Sequence, residues 1–454
     1  MSAVVVGAGL AGAAAALALA EAGLEVVQVA AAPGATALSA GTLDVAGASP
    51  GIPTLPWRDA LRGRPLLPRE RLALHRRGAP SHPYAQLFGG GEDPALPERE
   101  VEAGVATLAG WLAPAGLALV GSLGENRLLP TVPGTLRVAD FAFAPAAAAD
   151  LLLAREVAVV DVPSLEGFDA RALARTLARE IEVLGLPKLL VSVVQPRLPE
   201  AFLAETAPAR LAACLDGDDA RAALARAFVG LGADGRVLLF PPVLGIGKSA
   251  SLVAALEAAS GARVAEALAF PPFALAGFRL QRALDAALAA AGVRRIATRV
   301  LGIAASEAPG LRLALDDNAS LDAEAVVLAS GRFASGGLAD LRDAVGEPLL
   351  GLPLYDADGR RIDGSPARRS ARKGYGNEQP LFSAGVRTDQ RLRPLAANGR
   401  PRHARLFAAG DLLGGFDPAR ERTGLGVALV SGLRAARALV EALRAPPSRT
   451  GDLP

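Results

Sequence analysis

The sequence predicts an α/β protein. It points to a Rossmann-like, doubly wound nucleotide-binding domain, discontinuous in sequence, with an inserted α/β domain. Three observations predict it. The chain opens on a β-branched run, a glycine-rich turn and an alanine-rich stretch, "VVVGAGLAGAAAALALAEAG", and a second β-branched run, "LEVVQV", follows. A short apolar run of the buried-strand type, "EAVVLASG", returns at 324–331. A third, "RLFAAGD", starts at 405 and leads into a long helical pattern at 423–443. Buried strands joined through helices pair in parallel, because each crossover consumes a dozen or more residues.

The opening segment justifies the first three elements. Ala3–Val6 reads as a strand, and Gly7, Gly9 and Gly12 follow at the GxGxxG spacing. In that context Gly7 permits the tight turn, Gly9 admits a pyrophosphate to the backbone, and Gly12 lets helix and strand pack closely. A phosphate would sit on the N-terminal amides of the helix. The bland alternative is a chance match in a chain rich in alanine and glycine. The acid that holds a ribose is missing, since Ala30 stands at the end of the second strand and Gln28 falls two residues early.

Further along, 40–56 and 62–100 are rich in Pro, Gly and Arg and read as long excursions. A helix and strand are expected over 173–194, a strand and loop over 235–249, and a helix over 273–293. The loop "PVLGIGKS" (242–249) is not a P-loop, because Pro242 stands where that motif needs glycine. The polar stretch at 352–380 reads as an excursion or cap loop. The expected division is 1–49, 276–345 and 381–454 for the nucleotide-binding domain, 50–275 for the insertion, and 346–380 for the cap.

Composition excludes several classes. The 48 basic and 46 acidic residues nearly cancel, and three of the basic residues are lysine, so nothing resembles a nucleic-acid face. The densest basic stretch, "RERLALHRRG" (69–78), reads as a solvated face. No apolar run reaches the roughly 18 residues of a membrane span, and no basic n-region precedes the first strand. Cys214, the one cysteine, cannot build a disulfide framework, a redox pair or an iron–sulfur site. His75, His82 and His403 lack metal-ligand spacing, so no metal site is expected. Redox chemistry would need an organic cofactor, and a reducing cytosol is the expected compartment.

The glycine-type signals recur far apart. Ser330 and Gly331 end one strand in small residues, Gly410 and Asp411 end another, and Gly424 and Gly426 open the final helix. Helix amides there can hold an anion or a flavin carbonyl. Asp411 can accept from a polyol hydroxyl, although alone it reads as a cap or turn acid. A polyol-phosphate cofactor needs support along its length, and the ordered set supplies it.

In its order of GAGLAG, ASG and AAGD the chain resembles the fumarate reductase-like flavoproteins. More closely, it resembles the family of B subunits of anaerobic glycerol-3-phosphate dehydrogenase. The resemblance rests on "LSAGTLDV" (38–45), "HPY" (82–84), "LASGRFASGGL" (328–338), "PLLGL" (348–352), "GVRTDQRLRP" (385–394) and "LFAAGDLLGGFDP" (406–418), with 95–235 only loosely alike. It implies a flavoprotein subunit of a membrane-associated complex that oxidises sn-glycerol 3-phosphate to dihydroxyacetone phosphate and passes electrons to quinone. It also implies two partners, an FAD-containing catalytic subunit and an iron–sulfur, membrane-anchoring subunit, with this chain peripheral on the cytoplasmic face. The implied cofactor is a flavin, FMN in preference to FAD, which fits Ala30 because FMN has no adenosine ribose to hold.

Candidate chemistry follows the residue types. His82, in Ser81-His82-Pro83-Tyr84, is the candidate base, the alternative being a structural turn histidine. Arg279 and Arg393 are candidate phosphate clamps, against ordinary ion-pair duty. Ser39, Gly41 and Thr42 form a loop that can hydrogen-bond a pyrophosphate or a flavin edge, against a plain ST-turn. Arg420, Glu421 and Arg422 depart from the uncharged run that the family favours and would alter or tune the flavin contacts. Two other readings stand beside this one: a self-standing fumarate reductase-like oxidoreductase acting on a hydroxy acid or enoate, and a non-catalytic assembly subunit with a degenerate flavin site.

Overall fold

The structure is a computed structural model that describes residues 1–47, 66–78, 80–89, 93–185, 189–269, 275–306, 310–341, 344–362 and 379–445. Residues 363–378 of the expected cap loop lie outside the described residues, as do Lys188 and Lys373. The chain forms two compact units. The first comprises Met1–Ala35, Leu72–Val105 and Leu284–Pro454, and the second Thr36–Arg71 and Ala106–Ala283. Relative to the boundaries expected from sequence, 36–49 and 276–283 fall in the second unit and 72–105 in the first.

In the first unit five parallel strands lie in the order Arg294–Ile296, Glu25–Val29, Ser2–Val6, Ala325–Leu328 and Leu406–Ala408. The three apolar runs that the sequence singles out are therefore neighbours, and Ser2–Val6 is the middle strand of the five. Its helix, Leu10–Glu21, is built of small and apolar residues, seven of its twelve being alanine, because it is buried over most of its length. The final helix, Gly424–Arg444, packs so closely on it that a Cβ at Gly432 would strike the Ala11 carbonyl. An antiparallel meander, Val300–Ala305, Leu311–Leu315 and Ser320–Ala323, fills the connection between Arg294–Ile296 and Ala325–Leu328.

The second unit holds a four-stranded parallel sheet in the order Arg263–Glu266, Arg236–Phe240, Glu156–Val160 and Leu190–Val194. Alternate residues feed two cores. Val157, Val159, Val237 and Leu239 pack with Leu173, Leu177 and Ile181 of the helix Ala170–Leu184 on one side. Ala158, Val160, Leu238 and Phe240 pack with Leu252 and Leu256 of the helix Ser249–Ser260 on the other. Burial on both faces explains why these strands read as continuous apolar runs.

Two expectations are corrected here. The stretch at 62–100 is not an irregular excursion, since Pro68–Gly78, Pro83–Phe88 and the start of Leu96–Leu112 are helical. Nor is "RERLALHRRG" wholly solvated, because Arg71 and His75 are buried. Among the described residues no helix is long and apolar enough to cross a membrane.

Candidate functional site

The glycine turn is built as its spacing predicts. Gly7 takes φ +121°, and a Cβ there would strike the Ala329 carbonyl; a Cβ at Gly12 would strike the carbonyl of Gly7. Strand, turn and helix are thus in backbone contact, and only glycine permits it. Gln28 is buried and donates its Nε2 to the Gly7 carbonyl at 3.0 Å. It therefore braces the turn from within the sheet, and Ala30 follows with no polar group to offer a ribose. Gly34, which sequence reasoning missed, has no room for a side chain because a Cβ would collide with the backbone of Gly9. Its signal was the Pro33-Gly34 pair straight after the second strand.

The other two glycine sites meet on the same unit. Ser330 and Gly331 follow Ala325–Leu328, and Gly410 and Asp411 follow its neighbour Leu406–Ala408. Gly410 N donates to Ser431 Oγ of the final helix at 2.8 Å. Gly424 and Gly426 lie in the first turn of that helix, behind Thr423, which caps it without a side-chain hydrogen bond. The buried oxygens with no hydrogen-bond partner among the described residues include Ser330 Oγ, Asp411 Oδ1 and Thr423 Oγ1 here, and Glu421 Oε2 just before Thr423. Burial pushes the Asp411 carboxyl above its ordinary pKa, with Arg332 opposing. Buried polar atoms are almost always paired, so these orphans at the ends of two adjacent strands and one helix make a candidate polar ligand site.

Arg332, one residue beyond Gly331, holds these loops. Its guanidinium donates to the carbonyls of Asp411 (3.0 Å), Leu413 (3.1 Å) and Phe416 (3.2 Å), and also to that of Phe382. Its Cζ lies 5.1 Å from the centre of the Phe416 ring. One fork of five donors thereby fixes both segments that follow the fourth and fifth strands.

His82 is placed differently from its expected role. Its Nδ1 accepts from Tyr84 N at 3.0 Å and so caps the helix Pro83–Phe88, while Nε2 lies 3.1 Å from Glu421 Oε2. His75 Nδ1 lies 3.3 Å from the same oxygen, and both histidines are 1% exposed. Asp417 N donates to Glu421 Oε1 at 2.9 Å. Burial works to raise the Glu421 pKa, but the two imidazoles pull it down to about 2. Burial lowers the His82 pKa, with Glu421 opposing. A neutral imidazole whose Nδ1 accepts a backbone N–H carries its proton on Nε2. With Nδ1 accepting from Tyr84 N and the proton therefore on Nε2, His82 has no lone pair to take a substrate proton, and the turn-histidine alternative describes it. Two of the three histidines nevertheless come together, with donor atoms of His75, His82 and Glu421 within 4.8 Å of one another, a convergence invisible in their spacing.

Arg393 pairs with Asp389 (Nη2–Oδ2, 2.7 Å) and stays 28% exposed at the side chain. The remaining candidates belong to the second unit. Arg279 is buried; it donates from Nη1 and Nη2 to Glu266 (2.5 and 2.9 Å) and from Nε to the Gly245 carbonyl (2.8 Å). Its fork is spent within the fold rather than offered to a phosphate. Thr42 Oγ1 donates to Asp44 Oδ2 at 3.3 Å, and Gly41 takes φ +104° against Ala276. Ser39 Oγ is buried without a partner among the described residues. The rejected P-loop holds an anion of its own: Asp216 accepts from the amides of Ile246, Gly247 and Lys248 at 2.9–3.1 Å.

Together the glycine turn, the orphaned oxygens and the open helix terminus define a nucleotide-cofactor domain. Comparison with known proteins gives the class, since the FAD binding domain family matches residues 2–427. The B subunit of anaerobic glycerol-3-phosphate dehydrogenase from Yersinia enterocolitica is 31% identical over 97% of this chain and 98% of its own length. The probable B subunit of the same enzyme from Halobacterium salinarum is 32% identical over 70% and 75%. The chain belongs to this B-subunit family, within the FAD binding domain class. A flavocytochrome c3 fumarate reductase in its open conformation aligns over 98% of this chain and 78% of its own, at 13% identity and a TM-score of 0.40, too distant to argue from.

Proposed function

We propose that the protein is the flavoprotein subunit of a quinone-linked sn-glycerol-3-phosphate dehydrogenase, and that it relays electrons rather than carrying the substrate chemistry. The observation that carries the relay reading is His82. Oxidising the C2 alcohol removes a hydride and a hydroxyl proton, and the proton needs a base with a free lone pair. His82 Nδ1 accepts from Tyr84 N, which leaves the proton on Nε2 and no free lone pair, and Glu421 is too weak a base near its pKa of about 2. The other expected anchor, Arg279, is locked to Glu266.

The residues of the first unit fit a flavin. Gly7, Gly9 and Gly12 would admit the phosphate end to the first helix, Ser330 Oγ and Asp411 Oδ1 would meet the ribityl hydroxyls, and the amides at Gly424 and Gly426 would face a ring carbonyl. A bound flavin supplies a two-electron acceptor that can pass electrons on singly. Ala30, with Gln28 turned to the Gly7 carbonyl, leaves the adenosine ribose unsupported. That favours FMN, although the matched family is named for FAD. The relatives' names as B subunits support partner chains, for which an FAD-containing catalytic chain and an iron–sulfur anchoring chain are our assignment. Through them the chain would sit at the inner face of the membrane.

The test is anaerobic. Glycerol 3-phosphate should bleach the flavin of this chain when the catalytic partner is present and leave it oxidised when the chain is alone. Bleaching of the isolated chain would place the chemistry here.

A further inference from the structure

Glu421 ends the short helix Pro418–Glu421, two residues before the cap Thr423 and three before the first residue of the final helix. That helix has 21 residues and no side-chain cap, so its N-terminus presents the positive end of the backbone dipole, equivalent to about half a charge. A carboxylate this near is expected to lie in solvent or against a cation. Glu421 instead turns inward, its side chain 18% exposed, with His75 and His82 on Oε2 and Asp417 N on Oε1.

Two ordinary explanations of such a cluster fail. A metal ion would need the lone pair of His82 Nε2, but Tyr84 N already occupies Nδ1 and leaves the proton on Nε2. A general base would need an imidazole nitrogen with its lone pair available or a carboxylate with an ordinary pKa, and the cluster supplies neither through His82 or Glu421. What remains is a charge. The imidazoles hold Glu421 ionised, and from the strand side it shares the field of buried Arg332, which also faces Asp411 and Asp417. Arg420 and Arg422 flank it in sequence.

We propose that Glu421 is an electrostatic tuning residue: a fixed negative charge, held between His75 and His82, that offsets the positive end of the final helix and lowers the reduction potential of the flavin bound there. The inference rests on the flavin reading. Electron density entering a cofactor is opposed by a nearby anion and favoured by a helix N-terminus, so the balance of the two sets the potential. A relay protein needs a potential placed between its donor and acceptor, and this device sets it without touching the cofactor.

The test is anaerobic spectroelectrochemical titration of the flavin-loaded protein, comparing wild type with Glu421→Gln and Glu421→Asp. The expected result is a more positive midpoint for Glu421→Gln with flavin stoichiometry unchanged, and a midpoint restored toward wild type in Glu421→Asp. An unchanged midpoint in flavin-loaded Glu421→Gln overturns the proposal. Should that variant not fold, His75→Phe carries the same test. The carboxylate then loses one donor, and the potential should climb more steeply than wild type as pH falls; a wild-type slope overturns it. Stoichiometric metal in the purified protein would also overturn it. Wild type that binds no flavin at all would instead remove the reading on which the proposal rests.

Discussion

Arg332 takes the main-chain carbonyl of Asp411 at 3.0 Å and leaves that residue's Oδ1 buried with no hydrogen-bond partner. The cation beside this carboxylate is thus spent on backbone, and the carboxylate is kept for something else. An unpaired buried polar atom costs about 1–3 kcal/mol, a cost that ligand binding can offset.

From this relationship it follows that Asp411→Ala separates stability from binding. The apo protein should unfold at the same denaturant concentration as wild type or higher, because a destabilising group is gone. Flavin affinity should fall about tenfold or more, for the loss of at least one hydrogen bond worth roughly 1.4 kcal/mol. Urea titration and fluorescence binding read the two separately.

Arg332→Met should behave in the opposite way. Four carbonyls lose their donor, and the variant should lose about 3–5 kcal/mol of stability, as when one partner of a buried charged network is removed. Lysine should rescue little of it, since a single ammonium cannot reach carbonyls on two loops. Urea midpoints for the three proteins decide this.

Arg279 gives a sharper contrast. If its role is the Glu266 pair, Arg279→Met alone should cost about 3–5 kcal/mol, while Arg279→Met with Glu266→Met should restore most of that. Dehydrogenase activity of the assembled complex should survive the double change. Loss of substrate affinity with the fold intact would return Arg279 to the phosphate.

The His82–Glu421 contact predicts acid sensitivity. The folded-state pKa of Glu421, about 2, lies below its ordinary 4.5, so its contribution is complete above pH 4.5 and is lost as pH falls toward 2. The difference corresponds to about 3 kcal/mol. His82, with its folded pKa lowered from 6.5, acts in the same sense, because below 6.5 the unfolded chain binds a proton that the fold resists. Denaturant melts at pH 7, 5.5 and 4 should show falling stability, and Glu421→Gln should flatten the decline below 4.5.

Local patterns carried much of this in the sequence. GAGLAG, EAVVLASG and RLFAAGD announced three adjacent strands of the first sheet because buried parallel strands must be apolar and their loops must be small. The rest was hidden for physical reasons. Gly34 matters through a backbone approach that leaves no sequence period. His75, His82 and Glu421 meet across 346 positions of chain, and nothing in their spacing foretells it. The type of Arg279 suggested a phosphate, yet a buried arginine serves a buried glutamate equally well. Arg332 read as one of 45 arginines, and only the fold shows four carbonyls around it.

Everything proposed for the first unit depends on a flavin held between the glycine turn, Asp411 and the final helix. Absorption spectroscopy of the purified protein, with mass analysis of what it releases on denaturation, tests this most directly. A flavin band and one FMN per chain are expected. Release of FAD would correct only the ribose end at Ala30, whereas a colourless protein that refuses added flavin, or one that releases a nicotinamide, would contradict the flavin site itself.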